Sequence, residues 1–332
     1  KFDGSAYGYE FLAVDDDGNT YVTGDFNQTA KLDDKTITRN AGNTDVFDVF
    51  VAKLDKDGKV LWAEEFGGTR NEYVEDIALD SEGNTYITGT TEQSEGTDIF
   101  VAKFDKDGVS QWSKNFSNFN NNEASGIEVD KDGNTYLTGE FKSSLQFGDD
   151  TLTGGFEDEV FVTKLDSKGD VVWAKDFDNL VSGYSHEAAD VVVDKEGNSY
   201  LFMDAGGEGT YKASVTKLNK SDGSEAWKKE FSSNSYMEAE SIAIDSQDNI
   251  YIAGEFEETV SFGNTSLQGG EGGDVFVAKL DKSDGDVLWV KDFDSQNNDE
   301  DNVEVEGIAV DDMSNTYVTG YYNGKSMSVG NF

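Results

Sequence analysis

The phrase GNTYVTG at residues 18–24 decides the fold, because close variants of it return along the whole 332-residue chain. A second phrase, FVAKLD or a near variant, follows each of the first five copies, and a tryptophan follows each second phrase. Successive copies of the first phrase are 50 to 66 residues apart, a period typical of repeat architectures. The six copies begin at Gly18, Gly83, Gly133, Gly197, Asp248 and Ser314.

Each complete copy contains four short runs that are rich in β-branched and aromatic residues. Examples are DIALD at 76–80, TYVTG at 20–24, FVAKLD at 50–55 and VLWAEEF at 60–66. Turns such as DKDGN at 130–134 separate the runs, and their Gly and Asn tolerate left-handed backbone angles. No run sustains a helical period of 3.6 residues. The sequence therefore predicts an all-β chain of antiparallel four-stranded meanders.

A four-stranded meander leaves one face exposed unless it packs against another, and radial packing of such sheets gives a β-propeller. We therefore expect one β-propeller domain over residues 1–332, with five complete blades and the first two strands of a sixth. The ring would have six or seven blades, and the missing strands would come from a longer chain or a partner. The predicted repeats span residues 1–66, 67–116, 117–177, 178–231, 232–293 and 294–332.

The two phrases, the DG turn before VLWA and the following Gly67-Gly68 resemble the bacterial β-propeller repeat family called SBBP. The inserted segments SLQFGDDTLTGG at 144–155 and TVSFGNTSLQGG at 259–270 are similar to that family's longer repeats. The resemblance covers nearly the whole chain, and the fourth repeat departs from it most. It implies a propeller that forms part of an exported or surface-attached bacterial protein, and it implies no defined activity.

A weaker resemblance links KLDKSDGDVLW, residues 279–289, to the quinoprotein-type propeller repeat. It covers only half of each repeat. An enzyme of that class would be expected to need a catalytic acid and calcium ligands in a central pocket, and no such set maps onto this sequence residue by residue.

The charge balance narrows the range of partners. Lys and Arg number 26 and Asp and Glu number 68, which gives a formal net charge of −42. Phosphate-binding proteins need the opposite sign, so we expect no nucleic acid partner. Such a charge is best tolerated where salt or divalent cations screen it, which favours a bacterial extracellular or cell-surface location. The chain lacks cysteine and any apolar stretch long enough to span a bilayer.

The candidate binding residues are acidic. A glutamate precedes the closing Asp of each innermost run by five or seven positions, and this shared parity predicts side chains on one face around a central channel mouth. A ring of like charges raises its own pKa values or recruits cations, and hard oxygen ligands suit Ca²⁺. The alternative is a solvated acidic rim. The candidate residues are Glu10, Glu75, Glu123, Glu187, Glu238, Glu240, Glu304 and Glu306.

Aromatic residues in the connections between blades form a second candidate set, for a glycan. The repeated tryptophans are instead expected in the core, because they recur at one strand position. His186, the only histidine, is predicted to lie in a surface loop, and the Asp-rich turns do not fit the EF-hand pattern. The candidate aromatic residues are Tyr7, Tyr9, Tyr73, Phe119, Tyr184 and Tyr236.

Two functional hypotheses follow. The first is a non-enzymatic adhesin-like or structural module, whose loop-rich face contacts a protein, a glycan or a further copy of itself, with Ca²⁺ nearby. The second is a hydrolase or quinoprotein-like enzyme that uses a pair of the glutamates as acid and base. Catalysis needs one pair to differ from the others, whereas every repeat offers a similar carboxylate. The first hypothesis is therefore preferred.

Overall fold

The protein is described by a computed structural model over residues 2–6, 11–39, 46–117, 120–177, 180–181, 184–207, 209–270, 273–294, 302–323 and 328–329. Within these ranges the regular structure is β-strand, in antiparallel sheets, which confirms the all-β prediction. None of these residues belongs to a helix that could cross a membrane. Contacts divide the chain into two units: unit 1 is Lys1–Thr153 with Thr163–Ala174, and unit 2 is Gly154–Val162 with Lys175–Phe332.

The first three sheets are each built around a four-stranded meander. Sheet 1 contains β1 (Phe2–Ala6), β2 (Phe11–Val14), β3 (Thr20–Leu32), β4 (Lys35–Thr38), β5 (Asp48–Leu54) and β6 (Val60–Phe66). Sheet 2 contains β7 (Glu72–Leu79), β8 (Thr85–Glu92), β9 (Thr97–Phe104) and β10 (Ser110–Phe116). Sheet 3 contains β11 (Asn122–Val129), β12 (Thr135–Phe141), β15 (Glu159–Leu165) and β16 (Val171–Phe177), with a separate hairpin of β13 (Ser144–Phe147) and β14 (Asp150–Thr153).

The remaining sheets follow the same plan. Sheet 4 contains β17 (His186–Val193), β18 (Ser199–Gly207), β19 (Thr210–Leu218) and β20 (Glu225–Ser233), extended by β23 (Thr259–Phe262) and β24 (Thr265–Gln268). Sheet 5 contains β21 (Met237–Ile244), β22 (Ile250–Phe256), β25 (Asp274–Leu280) and β26 (Val287–Asp294), extended by β29 (Ser328–Val329). Sheet 6 contains β27 (Asn302–Val310) and β28 (Thr316–Asn323).

The second inserted segment links two consecutive sheets, whereas the hairpin of β13 and β14 in the first forms a sheet of its own. The hairpin of β23 and β24 lies in the chain between two strands of sheet 5, yet it pairs with the end of β20 in sheet 4, where Ser232 is opposite Ser261. The end of β26 in sheet 5 pairs in the same way with β29, where Phe293 is opposite Val329. Hydrogen bonds between strands therefore supplement the packing of side chains between these sheets.

The Asp-rich turns are held by their own carboxylates. In sheet 5, Asp245 accepts hydrogen bonds from the backbone N–H groups of Gln247 and Asn249, both at 2.9 Å. The Asn249 side-chain amide also donates to it. Asp248 takes a positive φ of 64° here, where the first four repeats have a glycine. These contacts are those of a structural turn.

A cluster of five side chains then joins this turn to the next three strands. The Tyr251 hydroxyl donates to Asp245 at 3.1 Å, and the Lys279 ammonium lies 2.6 Å from that hydroxyl and 3.2 Å from the carboxylate. The same ammonium stands 4.7 Å from the centre of the Tyr251 ring, and Trp289 meets the ring edge to face at 6.0 Å. The other complete clusters are Asp15–Asn19–Tyr21–Lys53–Trp62, Asp80–Asn84–Tyr86–Lys103–Trp112, Asp130–Asn134–Tyr136–Lys164–Trp173 and Asp194–Asn198–Tyr200–Lys217–Trp227.

The charge within this cluster is stabilised. Burial alone would raise the pKa of Asp245, but hydrogen bonds from Asn249, Gln247 and Lys279 outweigh it and hold the pKa well below its ordinary value. Because the carboxylate is more acidic in the folded chain, it adds stability above pH 4 that is lost at lower pH.

The repeated tryptophans pack against the apolar core, which agrees with the prediction: Trp173 is buried, and Trp62, Trp227 and Trp289 are half-buried against core clusters. Within unit 1, the Trp62 indole N–H donates to the Lys106 carbonyl of sheet 2 at 3.0 Å, and the Trp112 N–H donates to the Ser167 carbonyl of sheet 3 at 3.2 Å. Within unit 2, Trp227 makes the same bond to Lys282. Trp62, Trp112 and Trp227 therefore each pack against the tyrosine of their own sheet and donate a hydrogen bond to the following sheet.

Replacing the buried Trp173 with Ala is expected to lower the free energy of unfolding by about 3–5 kcal/mol, because it opens a cavity over Tyr136. Val172→Ala is the matched control: Val172 is the preceding residue of β16 and is 47% exposed, so its loss should cost less than about 1 kcal/mol. Urea unfolding measures both. Equal effects would contradict the role of the tryptophan in the core.

Candidate functional site

The predicted glutamates lie on the first strand of their sheets. Glu75 lies on β7, Glu123 on β11 and Glu187 on β17, and the remaining four lie in pairs on β21 and β27. Glu10 is outside the described residues. Glu123, Glu187 and Glu306 are exposed, and Glu75, Glu238, Glu240 and Glu304 are half-buried.

A β-bulge interrupts each of these first strands. In β21 the register shifts between Ala239 and Ser241, so Glu240 is the extra residue. The same irregularity makes Glu75 and Glu306 the extra residues of β7 and β27. Residues five and seven positions before the closing Asp share a face only in a regular strand, and not across a bulge, where two residues oppose one. The carboxylates that lie close together are therefore better identified by the effect of their charges on one another's pKa values.

In unit 2 the carboxylates of β21, β22 and β27 form one acidic cluster. Burial, followed by the charges of Glu238 and Glu255, raises the pKa of Glu240 to about 8, with smaller contributions from Glu306 and Glu304. Burial also raises the pKa of Glu255 to about 7, and nearby glutamates add to this. The structure therefore brings four of the predicted glutamates together with one, Glu255, that was not predicted.

A similar cluster occupies the same strands of unit 1. Burial is the main cause that raises the pKa of Glu75 to about 7, and the charges of Asp25, Glu123 and Asp76 follow. Burial likewise raises the pKa of Asp25 and of Asp76 to about 7. Each unit thus carries a set of carboxyl groups whose ionisation at neutral pH is opposed by burial and by like charge.

Some of these carboxyl groups also connect sheets. Asp204 in β18 accepts a hydrogen bond from the backbone N–H of Ala239, at the bulge of β21, with a length of 2.8 Å. Asp25 accepts one from Val74 at 3.0 Å, in the corresponding place in unit 1. Glu255 accepts the equivalent bond from the bulge of β27 at 3.1 Å. These acids were not predicted from the sequence, although each of them directly follows the second-strand phrase.

The aromatic candidates are engaged with neighbouring residues. Tyr73 packs against Phe47 with ring centres 5.7 Å apart. Tyr236 packs against Tyr211 and donates its hydroxyl to Glu238. The Tyr184 ring lies so close to Gly207 that a Cβ there would come within 2.5 Å of it. Tyr7, Tyr9 and Phe119 lie outside the described residues.

His186 is not a surface residue, which corrects the sequence prediction. It is the first residue of β17, is 2% exposed, and its Nε2 accepts a hydrogen bond from the Val181 backbone at 3.3 Å. The residues before His186 are loop-like, but the strand pattern that begins at this residue turns its side chain inward. Over the ranges that the structure describes, no three Asp, Glu or His side chains converge as ligands of a metal ion.

The antiparallel sheets repeat along the chain, and sheets 1 to 5 each carry a cluster of the same five residue types. These features define a β-propeller repeat protein. The chain belongs to the family described as outer membrane protein assembly factor BamB, whose model matches residues 48–329. This family carries the PQQ-type propeller repeat, so the weaker of the two resemblances is the one that the family match supports. No curated protein sequence matches the chain.

Solved structures with similar folds differ widely in what they are. An ulvan lyase of polysaccharide lyase family PL25 is 10% identical, with a TM-score of 0.49, over 90% of this chain and 72% of that one. A protein of unknown function from Dyadobacter fermentans is 11% identical, with a TM-score of 0.45, over 86% of this chain and 94% of that one. A Synechocystis apocarotenoid oxygenase mutant is 11% identical, with a TM-score of 0.42, over 83% and 58%. These values carry no argument about function.

Glu240→Gln is expected to stabilise the protein at pH 8 by roughly 1–2 kcal/mol, after allowance for solvent screening of a half-exposed group. The folded chain holds the Glu240 proton more tightly than the unfolded chain does, so stability falls as pH rises from about 4.5 to about 8. Glutamine removes that loss, and its advantage should vanish at pH 5. Thermal unfolding at both pH values measures this, with the exposed Glu225→Gln as control.

Asp204→Asn and Asp204→Leu separate the hydrogen bond of this group from its charge. Burial raises the pKa of Asp204 well above its ordinary value, which favours the neutral form of this acceptor. Asn keeps an acceptor for the Ala239 N–H and should remain close to wild type, whereas Leu leaves that N–H unpaired and should cost about 1–3 kcal/mol. Equal losses in urea unfolding would show that the bond does not carry the effect.

Proposed function

We propose that the protein is a non-enzymatic binding and structural module of the bacterial cell surface or exterior. Its carboxylate clusters would take up Ca²⁺ or a positively charged group of a partner, and its variable loops would contact a protein, a glycan or a further copy. The observation that carries the proposal is the raised pKa of Glu240 among Glu238, Glu255, Glu304 and Glu306.

The physical reason lies in the cost of ionising these groups. A carboxylate whose pKa is about 8 is held partly protonated at neutral pH by burial and by its neighbours. A cation placed among these oxygens favours the ionised forms and offsets that repulsion. Oxygen ligands of this kind suit Ca²⁺ better than Zn²⁺. The same arrangement would attract a lysine or arginine of a partner protein.

Family membership agrees with a role in contacting other proteins. The family description names an assembly factor for outer membrane proteins, and an assembly factor works by binding. The finer resemblance to the SBBP repeat favours a module of a larger exported or surface-attached protein. The family description and the SBBP resemblance both favour a binding scaffold. The propeller fold by itself specifies no catalytic chemistry.

An enzyme is the second candidate, supported by one asymmetry. Glu240 is half-buried with a raised pKa, whereas Glu306 on the neighbouring first strand is exposed, so one could act as acid and the other as base. Unit 1 repeats the arrangement with half-buried Glu75 and exposed Glu123. Because the two glutamate pairs resemble each other, neither stands out as an active site. This likeness favours the non-enzymatic scaffold.

Thermal unfolding with Ca²⁺, compared with Na⁺ at matched ionic strength and with EDTA, tests the proposal. Binding to the folded state alone raises the midpoint by mass action, so Ca²⁺ should raise it more than Na⁺ does. The double variant Glu238→Gln/Glu240→Gln should reduce the Ca²⁺-specific rise, and Glu225→Gln should not. Equal responses to the two salts would contradict a cation site, because the charge would then only be screened.

A further inference from the structure

In unit 2 the Asp-rich turn of one sheet bonds to the same turn of the next sheet. The Lys195 ammonium of sheet 4 donates to the Ser246 carbonyl of sheet 5. The Ser246 hydroxyl donates in the same way to the Asp312 carbonyl of sheet 6, at 3.3 Å. All three residues hold the second position of their turn. At this position, therefore, a side-chain donor meets a backbone carbonyl of the following sheet.

Sheets 1 and 2 of unit 1 have the acceptor of this contact but not the donor. The second position of the turn is Asp16 in sheet 1 and Ser81 in sheet 2. An ionised carboxylate only accepts hydrogen bonds, so Asp16 cannot bond to the Ser81 carbonyl as Lys195 bonds to Ser246. Among the described residues, no donor reaches the Ser81 carbonyl. The place that holds an ammonium in unit 2 is thus surrounded by acceptors in unit 1.

A cleft of about 770 Å³ opens at this place, and both turns line it. Its walls are partly apolar, since Val14, Leu61, Trp62 and Leu79 line it as well. Leu61 is 43% exposed, so apolar surface lies beside the carboxylates. The cleft therefore has room for a ligand that carries both methylene groups and positive charge.

Three of the carboxylates that line the cleft are paired with a lysine, and three are not. The pairs are Asp15–Lys53, Asp80–Lys103 and Asp107–Lys106, at 3.4, 3.7 and 2.7 Å.

The carboxylates of Asp16, Asp17 and Glu82 make no ion pair with any residue that the structure describes. All three side chains are exposed. Within the same ranges they do not converge as ligands of one metal ion. Their charge is therefore spread along the cleft, which suits several separate cationic groups better than a single ion.

We propose that this cleft between the turns of sheets 1 and 2 binds a linear polyamine, a small molecule in which methylene chains join ammonium groups. One ammonium would donate to the Ser81 carbonyl and pair with Asp16, in the place that the Lys195 ammonium holds in unit 2. Further ammonium groups would pair with Asp17 and Glu82, and the methylene groups would lie against the apolar wall.

The number of unpaired carboxylates favours a polyamine over a lysine of any polypeptide. A lysine side chain offers one ammonium and would leave two of the three carboxylates unmatched. The cleft is separate from the carboxylate clusters on the first strands, and the proposal does not rest on the proposed function.

Titration calorimetry of the whole chain with spermidine, which carries three ammonium groups, tests the proposal. At about 0.15 M NaCl we expect saturable binding of one spermidine per chain, and weaker binding as the salt concentration rises, because exposed charges are screened. Butylamine, with one ammonium, should bind more than about tenfold more weakly, since it satisfies one carboxylate.

Variants of the turns locate the site. Asp16→Lys places the residue of unit 2 in the cleft, and its ammonium should reduce the affinity for spermidine more than about tenfold. Glu82→Gln should reduce it about fivefold. Glu196→Gln, at the same turn position in unit 2, is the matched control and should leave the affinity unchanged. Thermal unfolding shows that each variant is folded.

Three results would overturn the proposal. The first is the absence of saturable spermidine binding in both calorimetry and equilibrium dialysis. The second is binding of butylamine as tight as that of spermidine, because the cleft would then recognise a single ammonium. The third is equal affinity in Asp16→Lys and the unaltered chain, or in Glu82→Gln and Glu196→Gln, because binding would then reflect only the overall negative charge.

Discussion

The contact between a lysine of the third strand and a tyrosine–aspartate pair at the start of the second is the interaction on which sheets 1 to 5 depend. In sheet 4, Lys217 lies 2.6 Å from the Tyr200 hydroxyl and 3.2 Å from Asp194, with its ammonium over the tyrosine ring. Burying a lysine is costly unless its charge is matched and its donors are satisfied. This cluster meets both conditions and leaves a flat aromatic surface on which Trp227 packs.

The first strands are also held close to the second strands of their own sheets. In sheets 2, 3, 5 and 6 the glycine that ends the second-strand phrase lies against a backbone carbonyl of the paired first strand, on the N-terminal side of the bulge. A Cβ at Gly254 would lie 2.2 Å from the Glu238 carbonyl oxygen, and one at Gly139 would lie 2.0 Å from that of Glu123. At the bulge, a backbone N–H group of the first strand donates a hydrogen bond to a carboxylate of the preceding sheet. These hydrogen bonds hold carboxyl groups of the second strands close to those of the first strands. Burial and like charge then raise the pKa values of Glu240 and Glu255.

Much of this fold could be predicted from sequence, because its determinants are local. The phrase TYVTG predicted a second strand and became part of β3, the Asp-Gly turns took the expected left-handed angles, and the recurrence of Trp62 and its equivalents placed them in the core. The bulges were missed, since a register shift depends on the neighbouring strand and leaves the period of the pattern intact. The burial of His186 was missed because the loop-like residues before it masked the start of β17. Of the candidate site, the spacing singled out the glutamates, whose role in binding stays a prediction, whereas Asp204 and Glu255 bond to another sheet and their place after the second-strand phrase did not reveal that contact.

We propose that the first and second strands gather carboxyl groups that resist ionisation and that bind a cation. Carboxyl ¹³C NMR titration of Glu240, assigned by comparison with the Glu240→Gln variant, measures this directly in the presence and absence of Ca²⁺. We expect the Glu240 carboxyl to titrate near pH 8 without Ca²⁺ and at a clearly lower pH with it. A carboxyl that titrates near its ordinary value of 4.5 and does not respond to Ca²⁺ would contradict the account.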